Sequence, residues 1–176
     1  MEIRPATLED VAAMTAIYNE GIAERIATFE TRPREAAEVA AWLQGGLPVL
    51  VAVRDGEIAG FARALPYAPG RDAYARVAED SVYVGSTHRG HRVGRALLEA
   101  LADAAERDGI RKLTALIFET NAPSVATHRA AGFGVVGVHR RHGRLDGEWR
   151  DVIVMERLLG DAADGLPDAP GDPSVI

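Results

Sequence analysis

Ser81-Val-Tyr-Val-Gly-Ser-Thr-His-Arg-Gly-His-Arg-Val-Gly-Arg-Ala-Leu-Leu98 is the stretch on which the fold turns. A β-branched and aromatic run ends in a Gly-Ser-Thr turn. A basic, glycine-containing loop follows, and then apolar residues at helical spacing. The order predicts strand, loop, helix N-terminus. Unpaired N–H groups at a helix start, backed by the helix dipole, attract phosphate. Gly90 and Gly94 allow close backbone approach, and Arg89, Arg92 and Arg95 add positive charge. The segment therefore reads as a pyrophosphate cradle. It is not a P-loop, because no Lys-Ser/Thr follows Gly94, and it lacks the third glycine of a dinucleotide fingerprint.

Outward from the cradle, the pattern upstream predicts a strand at 2–6, a helix from about Thr7, a second helix over Glu35–Leu43, and strands at 49–53, 57–65 and 79–84. Thr7-Leu-Glu-Asp10 has capping-box spacing, and Leu8, Val11, Thr15, Tyr18 and Ile22 share one helical face. Asp55-Gly56 signals a hairpin. Downstream, Val93, Leu97, Leu101 and Ala105 mark a helix closed by Gly109. A strand follows at 112–118. Asn121 and Pro123 open a short helix, and strands at 134–142 and 148–157 meet at Asp146-Gly147. The expected fold is α/β: a mixed central sheet of about seven strands flanked by about four helices, antiparallel early, with one βαβ unit in the middle.

Length predicts one domain over residues 1–159. Residues 160–176 hold three Pro, three Gly and four Asp without a Lys or Arg, and read as a disordered acidic Pro/Gly tail. That tail carries most of the net charge of −6, so the domain is nearly balanced and nothing points to nucleic acid. With no cysteine there is no thiolate zinc site and no cysteine nucleophile. His88, His91, His139 and His142 form no helical pair with carboxylate support, so no metal is expected. No signal-like segment or long apolar run occurs, which favours a soluble cytoplasmic protein and no membrane partner.

Arg89-Gly-His-Arg-Val-Gly94 resembles the acetyl-CoA loop of the GNAT acetyltransferases, Arg/Gln-x-x-Gly-x-Gly/Ala. Arg92 stands where that family usually has its first glycine. Asn121-Ala-Pro-Ser-Val-Ala-Thr-His-Arg-Ala-Ala-Gly-Phe133 resembles a second GNAT signature, one helix and one strand further on. The likeness covers residues 2 to about 157. Within the superfamily, Ile17-Tyr-Asn19, Ala27-Thr-Phe-Glu30, Arg71-Asp-Ala-Tyr74 and Glu79-Asp-Ser-Val-Tyr-Val84 are similar to the phosphinothricin N-acetyltransferase branch and its arsinothricin-acetylating relatives. That branch implies acetyl-CoA as co-substrate, a small amino-acid-like amine and a homodimer.

The resemblance also implies roles. Glu79, which alternation places on one strand face with Ser81 and Tyr83, stands where the branch has its proposed base. A carboxyl of ordinary pKa, about 4.3, needs burial or a water relay to serve there. His128 occupies the position of a tyrosine that protonates the departing thiolate in many GNAT enzymes; it is an acid, a base or a substrate ligand. Val82, Tyr83 and Val84 would offer main-chain groups to the thioester and pantetheine, with Arg89, Gly90, His91, Arg92, Val93, Gly94 and Arg95 at the phosphates. Asn121 would hold the cofactor arm or is simply an N-cap. Arg71 would take the anionic head of the substrate. Tyr74 and Phe29 would shape its pocket, although Phe29 also reads as a core plug. Tyr83 either bonds substrate or fills the core.

The leading expectation is direct acetyl transfer to the α-amino group of a phosphinothricin- or arsinothricin-type glutamate analogue, conferring resistance to it. The alternatives are another amine (methionine sulfoximine, methionine sulfone or a protein N-terminus) and a non-catalytic CoA-binding sensor.

Overall fold

The computed structural model describes residues 1–164, so all of the anticipated tail beyond Asp164 lies outside the described residues. Seven strands form one sheet: β1 Glu2–Pro5, β2 Val49–Arg54, β3 Glu57–Pro66, β4 Val77–Val84, β5 Lys112–Phe118, β6 Gly134–Leu145 and β7 Glu148–Leu158. Their spatial order is β1-β2-β3-β4-β5-β7-β6. Four helices cover it: α1 Val11–Glu24, α2 Ala36–Ala40, α3 Val93–Arg107 and α4 Ala122–Ala130. The mixed α/β architecture is the expected one, with β4-α3-β5 as its single parallel crossover.

Local chemistry sets the boundaries. Asp10 accepts the Thr7 N–H at 2.8 Å and takes the Arg4 guanidinium at 2.7 and 2.8 Å, tying the start of the first helical segment to β1. The Arg4 hydrogen bonds, followed by those from Thr7, hold the buried Asp10 carboxyl down to about 2. Asp55-Gly56 and Asp146-Gly147 have positive φ at both positions, the conformation that closes two-residue hairpins.

Three expected details differ. Leu8 is 70% exposed, because it sits in a 3-10 turn before α1; Met14 takes its place beside Val11, Tyr18 and Ile22 on the buried face. The second helix is α only over Ala36–Ala40 and tightens to 3-10 over Ala41–Gln44, which turns Trp42 toward the sheet. Residues 160–164, anticipated as tail, include a 3-10 turn, and Asp161 pairs with Arg111 at 2.6 Å.

Each face of the sheet has its own core. On one, Leu97, Leu98, Leu101 and Ala105 of α3 pack on Ala62, Ala64 and Ala78; each buried leucine contributes about 1.5–3 kcal/mol. On the other, Met14, Tyr18 and Ile22 of α1 meet Val39, Val51 and Phe61.

The feature that creates the site is a parting of strands. β4 and β5 pair only from Val77–Lys112 to Glu79–Thr114. Beyond Glu79, β4 stays with β3 through Val84, while β5 stays with β7 through Phe118. The wedge between them opens at the middle of the sheet.

Candidate active site

Two cavities meet in that wedge. The first, about 600 Å³, is lined by Val82–Val84, by Arg89, Gly90 and Arg92–Arg95, and by the start of α4. The second, about 430 Å³, is lined by Phe29, Arg63, Glu79–Tyr83 and His128. Ala27, Val82, Tyr83, Asn121 and Ser124 border both.

The first cavity is built around the N-terminus of α3. Gly94 lies so close to α4 that a Cβ there would come within 3.1 Å of Thr127 Cγ2. Arg92 caps α3 with φ +61°, ψ 16°, a left-handed conformation costly for any side chain. This is the position where the related motif prefers glycine, and Arg92 adopts the glycine backbone while adding a cation. Arg92→Gly should therefore stabilise the fold by about 0.5–1 kcal/mol, the strain relieved less the extra chain entropy of glycine. The melting temperature would rise by about 1–4 °C. A lowered melting temperature would contradict the strain argument.

The other cradle residues divide. Arg89 is engaged with Glu24 at 2.9 and 2.8 Å and with the Val84 carbonyl at 3.2 Å, so it fastens the loop to α1. Arg95 pairs with Glu99 at 2.8 Å along the helix. His91 is exposed and outside the cleft lining. Asn121 does two things: its Oδ1 accepts the Ser124 N–H at 3.2 Å, and its Nδ2 donates to the Ile26 carbonyl at 3.0 Å.

In the second cavity Glu79 faces the α1–α2 side of the sheet, paired across from Leu65. Burial, then the neighbouring Asp80 charge, raises its pKa, with Arg63 opposing them. Tyr83 stacks on Phe61 at 5.5 Å and meets Tyr18 edge-on at 4.8 Å. Burial raises the pKa of its hydroxyl, so Tyr83 stays neutral while filling the core and lining both cavities. Phe29 likewise has both anticipated roles: it packs edge-on against Phe118 at 4.6 Å and forms a cavity wall. Gly143 makes room for it, since a Cβ there would lie 2.7 Å from the ring.

Arg71 and Tyr74 are not brought into this cavity. Both are exposed on the loop between β3 and β4, neither lines the cavity, and Tyr74 packs on Tyr67 at 5.6 Å. The expected placement of Arg71 inside a closed pocket is corrected accordingly.

Two residues escaped the sequence reading. Asp80 is 7% exposed and accepts from, or shares a proton with, His128 Nε2 at 3.0 Å; His128 is 3% exposed, and its Nδ1 lies 2.8 Å from the Ser124 carbonyl. Both ring nitrogens thus face oxygen. The Ser124 hydroxyl also lies 3.4 Å from Nδ1, so the ring is held from both sides. The signal was available: alternation puts Asp80 with Ala78 and Val82 on a buried face, where a carboxylate needs a partner. The second is Arg63, between Phe61 and Leu65 on the opposite face of β3, whose guanidinium lies 3.8 Å over the Trp42 ring. Among the described residues no cluster of three or more His, Asp or Glu is arranged to hold a metal ion.

A cleft at the N-terminus of α3 that opens onto a half-buried carboxyl and a buried Asp–His pair suits a group-transfer enzyme. The chain belongs to the Acetyltransferase (GNAT) family, whose profile matches residues 14–133. It is 37% identical over 171 residues to a phosphinothricin N-acetyltransferase of Alcaligenes faecalis, covering 94% of this chain and 86% of that one. It is 34% identical over 175 residues to an L-methionine sulfoximine/L-methionine sulfone acetyltransferase of Salmonella typhimurium, covering 96% and 99%. A phosphinothricin acetyltransferase from Sinorhizobium meliloti, solved in complex with acetyl-CoA, superposes with a TM-score of 0.86 at 32% identity, covering 97% and 94%. The chain is an acetyl-CoA-dependent N-acetyltransferase.

Proposed function

We propose that this enzyme acetylates the α-amino group of a small amino acid of the phosphinothricin or methionine sulfoximine type, by direct attack with both substrates bound. The observation that carries this reading is the junction of the two cavities along Val82 and Tyr83, with a carboxyl of raised pKa at its inner end. Acetyl-CoA supplies an activated acetyl group. Arg92 and the first-turn N–H groups of α3 suit its diphosphate, and the main chain of Val82–Val84, no longer paired to β5, is available along its arm. Glu79 takes a proton from the ammonium group of the amine, directly or through water, so that a neutral nitrogen attacks. His128, hydrogen-bonded to Asp80, is placed to pass a proton to the departing sulfur.

With no cysteine in the chain, no acetyl-thioester can form on the protein. Varying both substrates should give intersecting initial-velocity lines; parallel lines with isolable acetyl-protein would overturn direct transfer. A CoA-release screen over phosphinothricin, arsinothricin, methionine sulfoximine, methionine sulfone and a peptide mixture should show turnover with the free amino acids. Turnover with peptides alone would replace the substrate class, and tight acetyl-CoA binding without turnover would favour a sensor. The branch likeness also supports a homodimer, checked by sedimentation equilibrium.

A further inference from the structure

The substrate cavity is lined by one Arg or Lys among the described residues, Arg63. Its placement is unusual. Arg63 stands on β3 opposite Ser81, with Glu79 its diagonal neighbour on the same sheet face. The guanidinium is 3.8 Å over the Trp42 ring, its Nε is buried without a hydrogen-bond partner, and among the described residues it makes no ion pair. Burial lowers its pKa, the mark of a charge taken out of water without full compensation. The arginines nearby are already engaged: Arg34 with Glu30 and Glu38, and Arg32 with Glu38. A half-buried guanidinium without an ion-pair partner gains when a negative group arrives to pair with it. The aromatic platform fixes the plane of the fork, leaving its N–H edge to a partner with two oxygens.

We propose that Arg63, seated on Trp42, receives a negative charge of the amine substrate, so that the site selects anionic amines over neutral ones. The inference rests on the acetyl-transfer reading above and adds the substrate's second anchor. With Glu79 facing the amine and Arg63 facing an oxyanion, the cavity is bipolar and suits a zwitterion. It also supplies the cation that Arg71, outside the cavity, does not. The oxyanion is either the α-carboxylate or the acidic head of the side chain. Both are paired oxygens on a tetrahedral or trigonal centre, and both fit the same fork.

The test compares wild type, Arg63→Gln and Arg63→Lys on phosphinothricin, methionine sulfone and the α-carboxamide of methionine sulfone, with acetyl-CoA saturating. Arg63→Gln should raise the KM for the anionic amines about ten- to hundredfold, with little change in kcat or in the KM for acetyl-CoA. Arg63→Lys, which keeps the charge but not the fork, should fall between. If the α-carboxylate is held, both amino acids weaken alike and wild type discriminates against the carboxamide. If the side-chain head is held, only phosphinothricin weakens. Unchanged KM values in Arg63→Gln, or an equal loss of kcat in both variants with KM intact, would overturn the proposal while leaving acetyl transfer standing. Should wild type turn over none of the three, the substrate reading fails. Arg63 is then read by tryptophan fluorescence: phosphinothricin should perturb the emission of wild type but not of Arg63→Gln, and no response in wild type would sink the anchor as well.

Discussion

Glu79→Gln should lower turnover by about 10²- to 10⁴-fold, the usual contribution of a positioned general base, while acetyl-CoA binds as before. Glu79 is a carboxyl of raised pKa in the cavity, with Arg63 as its diagonal neighbour on the same sheet face. Sign matters for the pH profile. The working form is the carboxylate, so turnover should fall as pH drops through the raised pKa, and the variant should lose that acidic limb. Stability should move the opposite way. A carboxyl whose pKa is higher folded than unfolded binds more protons in the native state, so stability falls as pH rises between the two values. Gln, which is never charged, removes that penalty, and the variant should be more resistant to urea than wild type at neutral pH. Unchanged turnover would take Glu79 out of the mechanism. Reduced neutral-pH stability would show that its charge is compensated in the fold.

The largest stability effect is expected at Asp80. Its carboxylate and the His128 ring are both almost wholly buried and bonded to each other at 3.0 Å. Removing one partner strands the other, at a cost of about 3–5 kcal/mol. Asp80→Leu should accordingly lower the melting temperature by about 6–20 °C. The double variant, Asp80→Leu with His128→Leu, should recover much of that loss, because two apolar groups of similar volume leave no orphaned charge. The double variant thus loses far less than the sum of the single losses, and denaturant titrations of the single and double variants measure the coupling directly. Additive losses would mean that the pair is not coupled. Asp80→Asn separates chemistry from folding. It keeps a bonding oxygen but removes the negative charge beside the ring, and turnover should drop by about tenfold or more while the fold survives.

Local rules exposed most of the scaffold. The hairpins at Asp55-Gly56 and Asp146-Gly147, the cap at Asn121 and the apolar stripe of α3 each follow from a few neighbouring residues. What stayed hidden depends on distance or direction. The Asp80–His128 bond joins residues 48 apart, and no spacing rule links them. Arg63 is one residue on an alternating strand, and its burial is set by Trp42 arriving from another element. Arg71 shows the converse error: its residue type suits an anion, but the course of the loop between β3 and β4 decides whether it can reach one. Leu8 fits the helical stripe by counting and leaves it because the first turn is wound more tightly.

Asn121 ties the chain near Ile26 to the head of α4. Ala27 borders both compartments, and Thr28 and Phe29 continue along the second. One short span thus borders both compartments, held by the Asn121 amide at one end and by the Arg25–Glu30 carbonyl bond and the Phe29–Phe118 contact further along. A substitution in that span would therefore reshape both compartments at once, whereas a change at Arg63 on β3 would alter the second alone.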